Sequence, residues 1–93
     1  MTREEAIRIG SELQYLMQTK GFQTAIQIMQ AEYRDKVFAS QPNEANVRET
    51  AYLEARALDS LIATFNSFVA IAEQEALVSL AYGDEEEIDH EFI

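Results

Sequence analysis

The sequence predicts an all-α protein: an elongated antiparallel helical hairpin, with one long helix packed against two shorter helices broken near Gly21, followed by an acidic C-terminal tail. Three observations lead to this prediction. Apolar residues recur at steps of three and four along most of the chain. The only proline, Pro42, interrupts this pattern near the middle. The last ten residues hold six acidic side chains and no Lys or Arg.

Length and composition limit the protein to one small folded domain. The chain has 93 residues, of which 47% are hydrophobic and 26% charged, and this composition excludes a wholly disordered chain. It has no cysteine, which excludes disulfides, a thiol nucleophile and a thiolate metal site. We predict a hairpin domain at 1–83, with helices at about 3–19, 22–39 and 43–82, and a tail at 84–93.

The first helix begins with a capping box. The Thr2 hydroxyl can accept a hydrogen bond from the Glu5 amide, and the Glu5 carboxylate can reach back toward Thr2. Gly10 either weakens the helix by about 1 kcal/mol or permits another helix to cross closely. The apolar positions at helical spacing are Ala6, Ile9, Leu13, Leu16 and Met17.

The second helix resumes directly after Lys20 and Gly21, which have the character of a helix end. Gly21 is therefore either a kink between nearly continuous helices or a sharp reversal. The apolar positions of the second helix are Phe22, Ala25, Ile26, Met29, Tyr33 and Val37.

The third helix is the dominant feature. Either Asn43 caps it or Pro42 occupies its first turn, and Gly83 supplies its end. Its apolar residues alternate steps of four and three without interruption, which indicates antiparallel coiled-coil packing. This seam consists of Ala51, Ala55, Leu58, Ile62, Phe65, Val69, Ala72 and Ala76.

Two arrangements fit these lengths. In the first, the chain folds once at Pro42, so that helix two lies along the first half of helix three and helix one along the second half. In the second, the chain also reverses at Gly21 and forms a compact three-helix bundle. Half of helix three would then lack an internal partner, and the protein would have to oligomerise.

Charge is distributed unevenly along the chain. The net charge is −10; residues 1–56 hold all seven Lys and Arg against eight acids, and residues 57–93 hold nine acids and no Lys or Arg. Direct binding to nucleic acid is disfavoured, because phosphate affinity comes from Lys and Arg. A protein partner with a basic or apolar groove is favoured instead.

The sequence predicts neither an enzyme nor a metal or cofactor site. The only histidine, His90, lies in the tail, where nothing positions it as a general base. Glu73 and Glu75 are two residues apart and point to different helix faces. No phosphate-binding or dinucleotide-binding glycine pattern is present, and the acidic tail lacks the ligand spacing of a calcium loop.

Partner binding is predicted at the end of the third helix and in the tail. The helix is apolar on more than one side, and such a helix is usually buried on more than one side. We therefore predict contacts with a protein partner and with copies of this chain. The predicted binding residues are Phe68, Val69, Ile71, Leu77 and Leu80 on the helix, and Asp84, Glu85, Glu86, Glu87, Ile88, Asp89, Phe92 and Ile93 in the tail.

The N-terminus is charged from the start, and no run approaches the roughly 18 apolar residues of a membrane span. We therefore predict a protein that is cytoplasmic at synthesis and binds no membrane.

Four features of the sequence carry a resemblance: Gly21-Phe22, Tyr33, Arg48-Glu49 and the stretch 57–61. Together they resemble short proteins encoded among the head and packaging genes of tailed bacteriophages. The resemblance covers roughly residues 13–70. It implies a structural or adaptor protein that is incorporated into a virion or its assembly intermediate. The alternative is an acidic inhibitor that binds a host nucleic-acid-binding protein and partly mimics DNA.

Overall fold

The computed structural model describes residues 1–82, which form three α-helices and no strand. Helix α1 spans Arg3–Gln18, α2 spans Lys20–Ala39 and α3 spans Ala45–Tyr82. The predicted all-α class is therefore confirmed. The predicted stop at Gly83 and the predicted acidic tail lie outside the described residues.

The capping box at the start of α1 is confirmed. The Glu5 amide donates to the Thr2 hydroxyl oxygen at 3.1 Å, and the Thr2 hydroxyl donates to Glu5 Oε1 at 3.1 Å. The Ala6 amide donates to the Thr2 carbonyl oxygen at 3.0 Å and begins the helical pattern. Side-chain capping of this kind satisfies amides that have no partner within the helix.

The break between α1 and α2 lies at Thr19, two residues before the predicted break at Gly21. Thr19 has an extended backbone, with φ −71° and ψ 144°, and its hydroxyl accepts a hydrogen bond from the Phe22 amide. Gly21 instead lies in the first turn of α2, where a Cβ atom would have no neighbour within 4 Å. The predicted break near Gly21 is confirmed, and it lies at Thr19 because a threonine N-cap begins the new helix before the glycine is reached.

The loop between α2 and α3 is a tight turn. The Glu44 amide donates to the Gln41 carbonyl oxygen at 2.9 Å, so Pro42 and Asn43 are the central residues of the turn. Glu44 Oε1 accepts from the Gln41 amide at 2.7 Å. The predicted helix start at Pro42 or Asn43 was therefore wrong, because the turn occupies both residues and α3 begins at Ala45.

Arg48 ties the first part of α3 to this turn. Its guanidinium donates to the Gln41 carbonyl at 2.8 Å, to the Ser40 hydroxyl at 3.2 Å and to the Pro42 carbonyl at 3.4 Å. These carbonyls belong to residues outside the helices, and a charged donor binds them more strongly than a neutral one. Arg48 thereby stabilises the connection between α2 and α3.

The chain divides into two compact units. Within the described residues, unit 1 consists of Met1–Gln18 and 62–82, and unit 2 is Thr19–Leu61. In unit 1, α1 packs against α3: Arg3 contacts Glu75, and Gly10 approaches Ala72. Unit 2 pairs α2 with the first part of α3. The elongated hairpin arrangement of the whole chain stays a prediction.

The apolar seam of α3 is confirmed by burial. Ala51, Leu58 and Ala72 are buried. The other five positions of the seam are half-buried: Ala55, Ile62, Phe65, Val69 and Ala76. No large side chain within residues 1–82 is fully buried. Apart from Leu58 and the Arg3–Glu75 pair, the buried residues within 1–82 are small, and most large apolar side chains keep part of their surface in contact with solvent.

Candidate interaction surfaces

Unit 1 is built around a close crossing of α1 and α3. A Cβ atom added at Gly10 would overlap the Cβ atom of Ala72 and lie 2.7 Å from the Phe68 carbonyl oxygen. Only glycine lets the two backbones approach this far. The predicted alternative that Gly10 permits another helix to cross closely is therefore confirmed.

A buried ion pair joins the same two helices. Arg3 Nε donates to Glu75 Oε2 at 2.7 Å, and the two side chains are only 4% and 8% exposed. No local sequence pattern identifies this pair, because its members are 72 positions apart. Two opposite charges in contact away from water fix the register of α1 on α3.

The five predicted partner-binding residues of α3 differ in exposure. Leu77 and Leu80 are 69% and 87% exposed, whereas Phe68, Val69 and Ile71 are half-buried. The structure adds Tyr82, which is 84% exposed at the end of the helix. We call Leu77, Leu80 and Tyr82 the α3 tip. The eight predicted binding residues of the tail, from Asp84 to Ile93, lie outside the described residues.

Unit 2 buries very little. None of the residues Lys20–Ala39 is buried, and residues 45–61 contribute only Ala51 and Leu58 to the buried core. Tyr33 and Lys36 of α2 make the clearest contacts: the Lys36 ammonium lies 3.8 Å from the Glu54 carboxylate and 5.8 Å from the centre of the Tyr33 ring. Both side chains of the ion pair are largely solvated, so this pair stabilises the unit little.

Two shallow grooves lie on one side of unit 2. They share Glu54, so they form one continuous surface, which we call the Glu54 face. The first groove is lined by Met29, Tyr33, Glu54, Ala57, Leu58 and Leu61. The second groove is lined by Lys36, Asn46, Val47, Thr50, Ala51 and Glu54.

A third groove between α2 and α3 is lined by Tyr33, Val37, Ala51 and Ala55. Its lining also includes an amide, a guanidinium, a phenol and a carboxylate. These are Gln30, Arg34, Tyr52 and Asp59. Both sides of unit 2 therefore combine apolar and polar side chains, and the Glu54 face carries the exposed apolar side chains Met29 and Leu61.

Within residues 1–82, no group of three or more His, Asp or Glu side chains could hold a metal ion. His90 lies outside the described residues.

One helix of the described chain, α3, is long and apolar enough to cross a membrane by length and composition alone. Core helices of soluble proteins pass the same test. The prediction that the protein binds no membrane stays a prediction.

Comparison of the chain with protein-family models, with curated proteins and with solved structures found no match. The function is therefore inferred from the α3 tip, the Glu54 face and the distribution of charge.

Proposed function

We propose that this chain is a non-enzymatic structural or adaptor protein, present in several copies in a larger assembly. The observation that carries the proposal is the α3 tip. Leu77, Leu80 and Tyr82 are each more than two-thirds exposed. Leu77 and Leu80 are three positions apart and lie on one side of α3, and an exposed apolar patch of this kind marks a surface that another protein covers. The resemblance of the sequence to bacteriophage head and packaging proteins suggests a virion or its assembly intermediate as the setting.

The sequence that follows the tip indicates the chemistry of the partner. Residues 84–93 combine six acidic side chains with Ile88, Phe92 and Ile93. The charges would attract a basic surface over a long range, and the apolar side chains would anchor the segment after contact. A partner groove with a basic rim and an apolar floor fits both the tip and this segment.

Deleting residues 84–93, or replacing both Leu77 and Leu80 with serine, is expected to abolish incorporation of the protein into its assembly. The helical content should stay unchanged, because neither Leu77 nor Leu80 is buried. Co-sedimentation with purified particles measures incorporation, and circular dichroism measures helicity. A matched control is Tyr15→Ser, which changes a side chain that is 75% exposed on α1. Normal incorporation of the truncated chain would contradict the proposal.

The second candidate function is an acidic inhibitor of a host nucleic-acid-binding protein. It is favoured by the nine acids and the absence of Lys and Arg in residues 57–93. Within α3, however, these acids are only Asp59, Glu73 and Glu75, and Glu75 is buried against Arg3. The described surface from 57 to 82 therefore presents few carboxylates with which to imitate a phosphate backbone.

Salt dependence separates the two candidates. Binding through an apolar tip should weaken modestly when the salt concentration rises, because screening acts on the steering charges alone. The affinity of an inhibitor that replaces DNA should fall by a much larger factor over the same range of salt concentration. Titration calorimetry of the purified partner at low and high salt measures the difference. A steep loss of affinity would favour the inhibitor and count against the structural role.

A further inference from the structure

We propose that a second copy of this chain packs on the Glu54 face of unit 2, so that two copies of Thr19–Leu61 form a four-helix bundle. This inference rests on the proposed function, which already requires several copies, and it adds the surface and the symmetry of their contact. The surface is separate from the α3 tip and was not singled out by the sequence.

The first step is the small core of unit 2. Helix α2 has twenty residues, and none of Lys20–Ala39 is buried. Helical stability in proteins comes chiefly from packing an apolar face. In unit 2 the buried residues are only Ala51 and Leu58, and the other packed side chains are half-buried. Unit 2 therefore gains stability from any partner that covers its remaining apolar surface.

The second step is the location of that surface. Leu53, Ala57 and Leu61 follow one another at steps of four along α3, which places them on one stripe of the helix. Ala57 and Leu61 line the Glu54 face, and Leu53 and Leu61 are 59% and 48% exposed. Met29 of α2 and Val47 of α3 extend the same surface.

The third step is electrostatic and concerns why the partner is a second copy. Residues 19–61 hold five basic and six acidic side chains, so two copies of unit 2 repel each other very little. The remainder of the chain is strongly acidic and would fit a basic partner. Unit 2 has nearly balanced charges and does not favour a basic partner over a neutral one. The Glu54 face also carries charges of both signs, Lys36 and Glu54. A two-fold axis through the face would allow Lys36 to meet Glu54 of the partner subunit.

The fourth step is the size of the face. The first part of α3, residues 45–61, is about 25 Å long at 1.5 Å per residue. Two helices packed side by side, 8–10 Å apart, present a layer about 20 Å wide. The flat area of the face is therefore about 500 Å², and the accessible area of a corrugated helical surface is larger. A standard interface buries about 800 Å² per partner, so the face approaches the size that a stable dimer needs.

Sedimentation equilibrium of the full chain tests the proposal. The wild-type protein is expected to have the mass of a dimer at micromolar concentration. Leu61→Glu should weaken the dimer at least tenfold, because it places a carboxylate in the middle of an apolar contact. Leu77→Glu, an equally drastic change at the α3 tip, should leave the dimer unchanged. A monomeric wild-type protein, a mass above that of a dimer, or an unaffected Leu61→Glu variant would overturn the proposal.

Spin-label distances identify which face of unit 2 lies between the two copies. The chain has no cysteine, so a single introduced cysteine can be labelled cleanly. Labels on Ala57→Cys lie on the Glu54 face and are expected to give a short distance between the two copies. Labels on Gln30→Cys lie in the groove on the other side and should give a longer distance, since two helix diameters of about 10 Å each are added. The reverse order of distances would assign the dimer to the opposite face and refute this one.

The two proposals fail separately. If the isolated chain is monomeric but the Leu77 and Leu80 variants still lose incorporation, then the proposed bundle is wrong and the adaptor function stands. If the chain is a dimer through the Glu54 face and the tip variants are incorporated normally, then the bundle stands and the proposed function is wrong.

Discussion

Replacing Glu75 with alanine is expected to lower the free energy of unfolding by about 3–5 kcal/mol, the cost of removing one member of a buried ion pair. Arg3 would keep its charge in a position that is only 4% exposed, without the carboxylate that accepts its Nε hydrogen at 2.7 Å. Urea denaturation followed by circular dichroism measures the change.

Two further variants make this test specific. Glu73→Ala removes an exposed carboxylate from the same turn of α3 and should change the free energy of unfolding by less than about 0.5 kcal/mol. The double variant Arg3→Met with Glu75→Leu removes both charges and should recover most of the lost stability, since a well-packed apolar pair often equals a buried ion pair. If the Glu75→Ala protein were as stable as the Glu73→Ala protein, the Arg3–Glu75 pair would not be what holds α1 on α3.

Replacing Gly10 with leucine is expected to cost about 3 kcal/mol, the upper end of the range for an overpacked site. Even the first side-chain carbon would overlap Ala72 Cβ and crowd the Phe68 carbonyl oxygen. Phe68 O belongs to the backbone of α3 and cannot rotate away, so the two helices would have to separate. Loss of their contact would appear as a lower denaturant midpoint.

Gly21 provides a matched control for Gly10. Both residues lie in helices, but a Cβ atom at Gly21 has no neighbour within 4 Å. Gly21→Ala should therefore stabilise the protein by up to about 1 kcal/mol through helix propensity, whereas Gly10→Ala should destabilise it. Combining Gly10→Ala with Ala72→Gly moves the methyl group to the other helix and should restore part of the loss. A stabilising effect of Gly10→Ala would contradict the close crossing.

Two surfaces in different units can serve two purposes. The α3 tip, with Leu77, Leu80 and Tyr82, belongs to unit 1 and is followed by the acidic residues 84–93. The Glu54 face belongs to unit 2, where basic and acidic side chains nearly balance. We propose that the first surface contacts a different protein and the second surface contacts a copy of the chain. Self-association through unit 2 would then present two tips to the rest of the assembly.

The sequence by itself determined the features that depend on near neighbours in the chain. The all-α class follows from a period of three to four residues, and the start of α1 follows from Thr2 and Glu5 three positions apart. The eight-residue seam of α3 was predicted position by position, because a heptad pattern predicts which side of a helix packs against other residues. The break at Thr19 also has a local signal, a threonine three residues before Phe22, although Gly21 beside it is the stronger marker of a helix end.

Only the tertiary structure decided the features that join distant positions. The Arg3–Glu75 pair and the contact of Gly10 with Ala72 depend on the register between α1 and α3, and no local pattern encodes a register. The Glu54 face depends on which side of α2 meets α3, since a groove needs walls from both helices. The apolar seam predicts that one side of α3 is packed against other residues. Only the tertiary structure shows how few residues of unit 2 are buried by contacts within the unit.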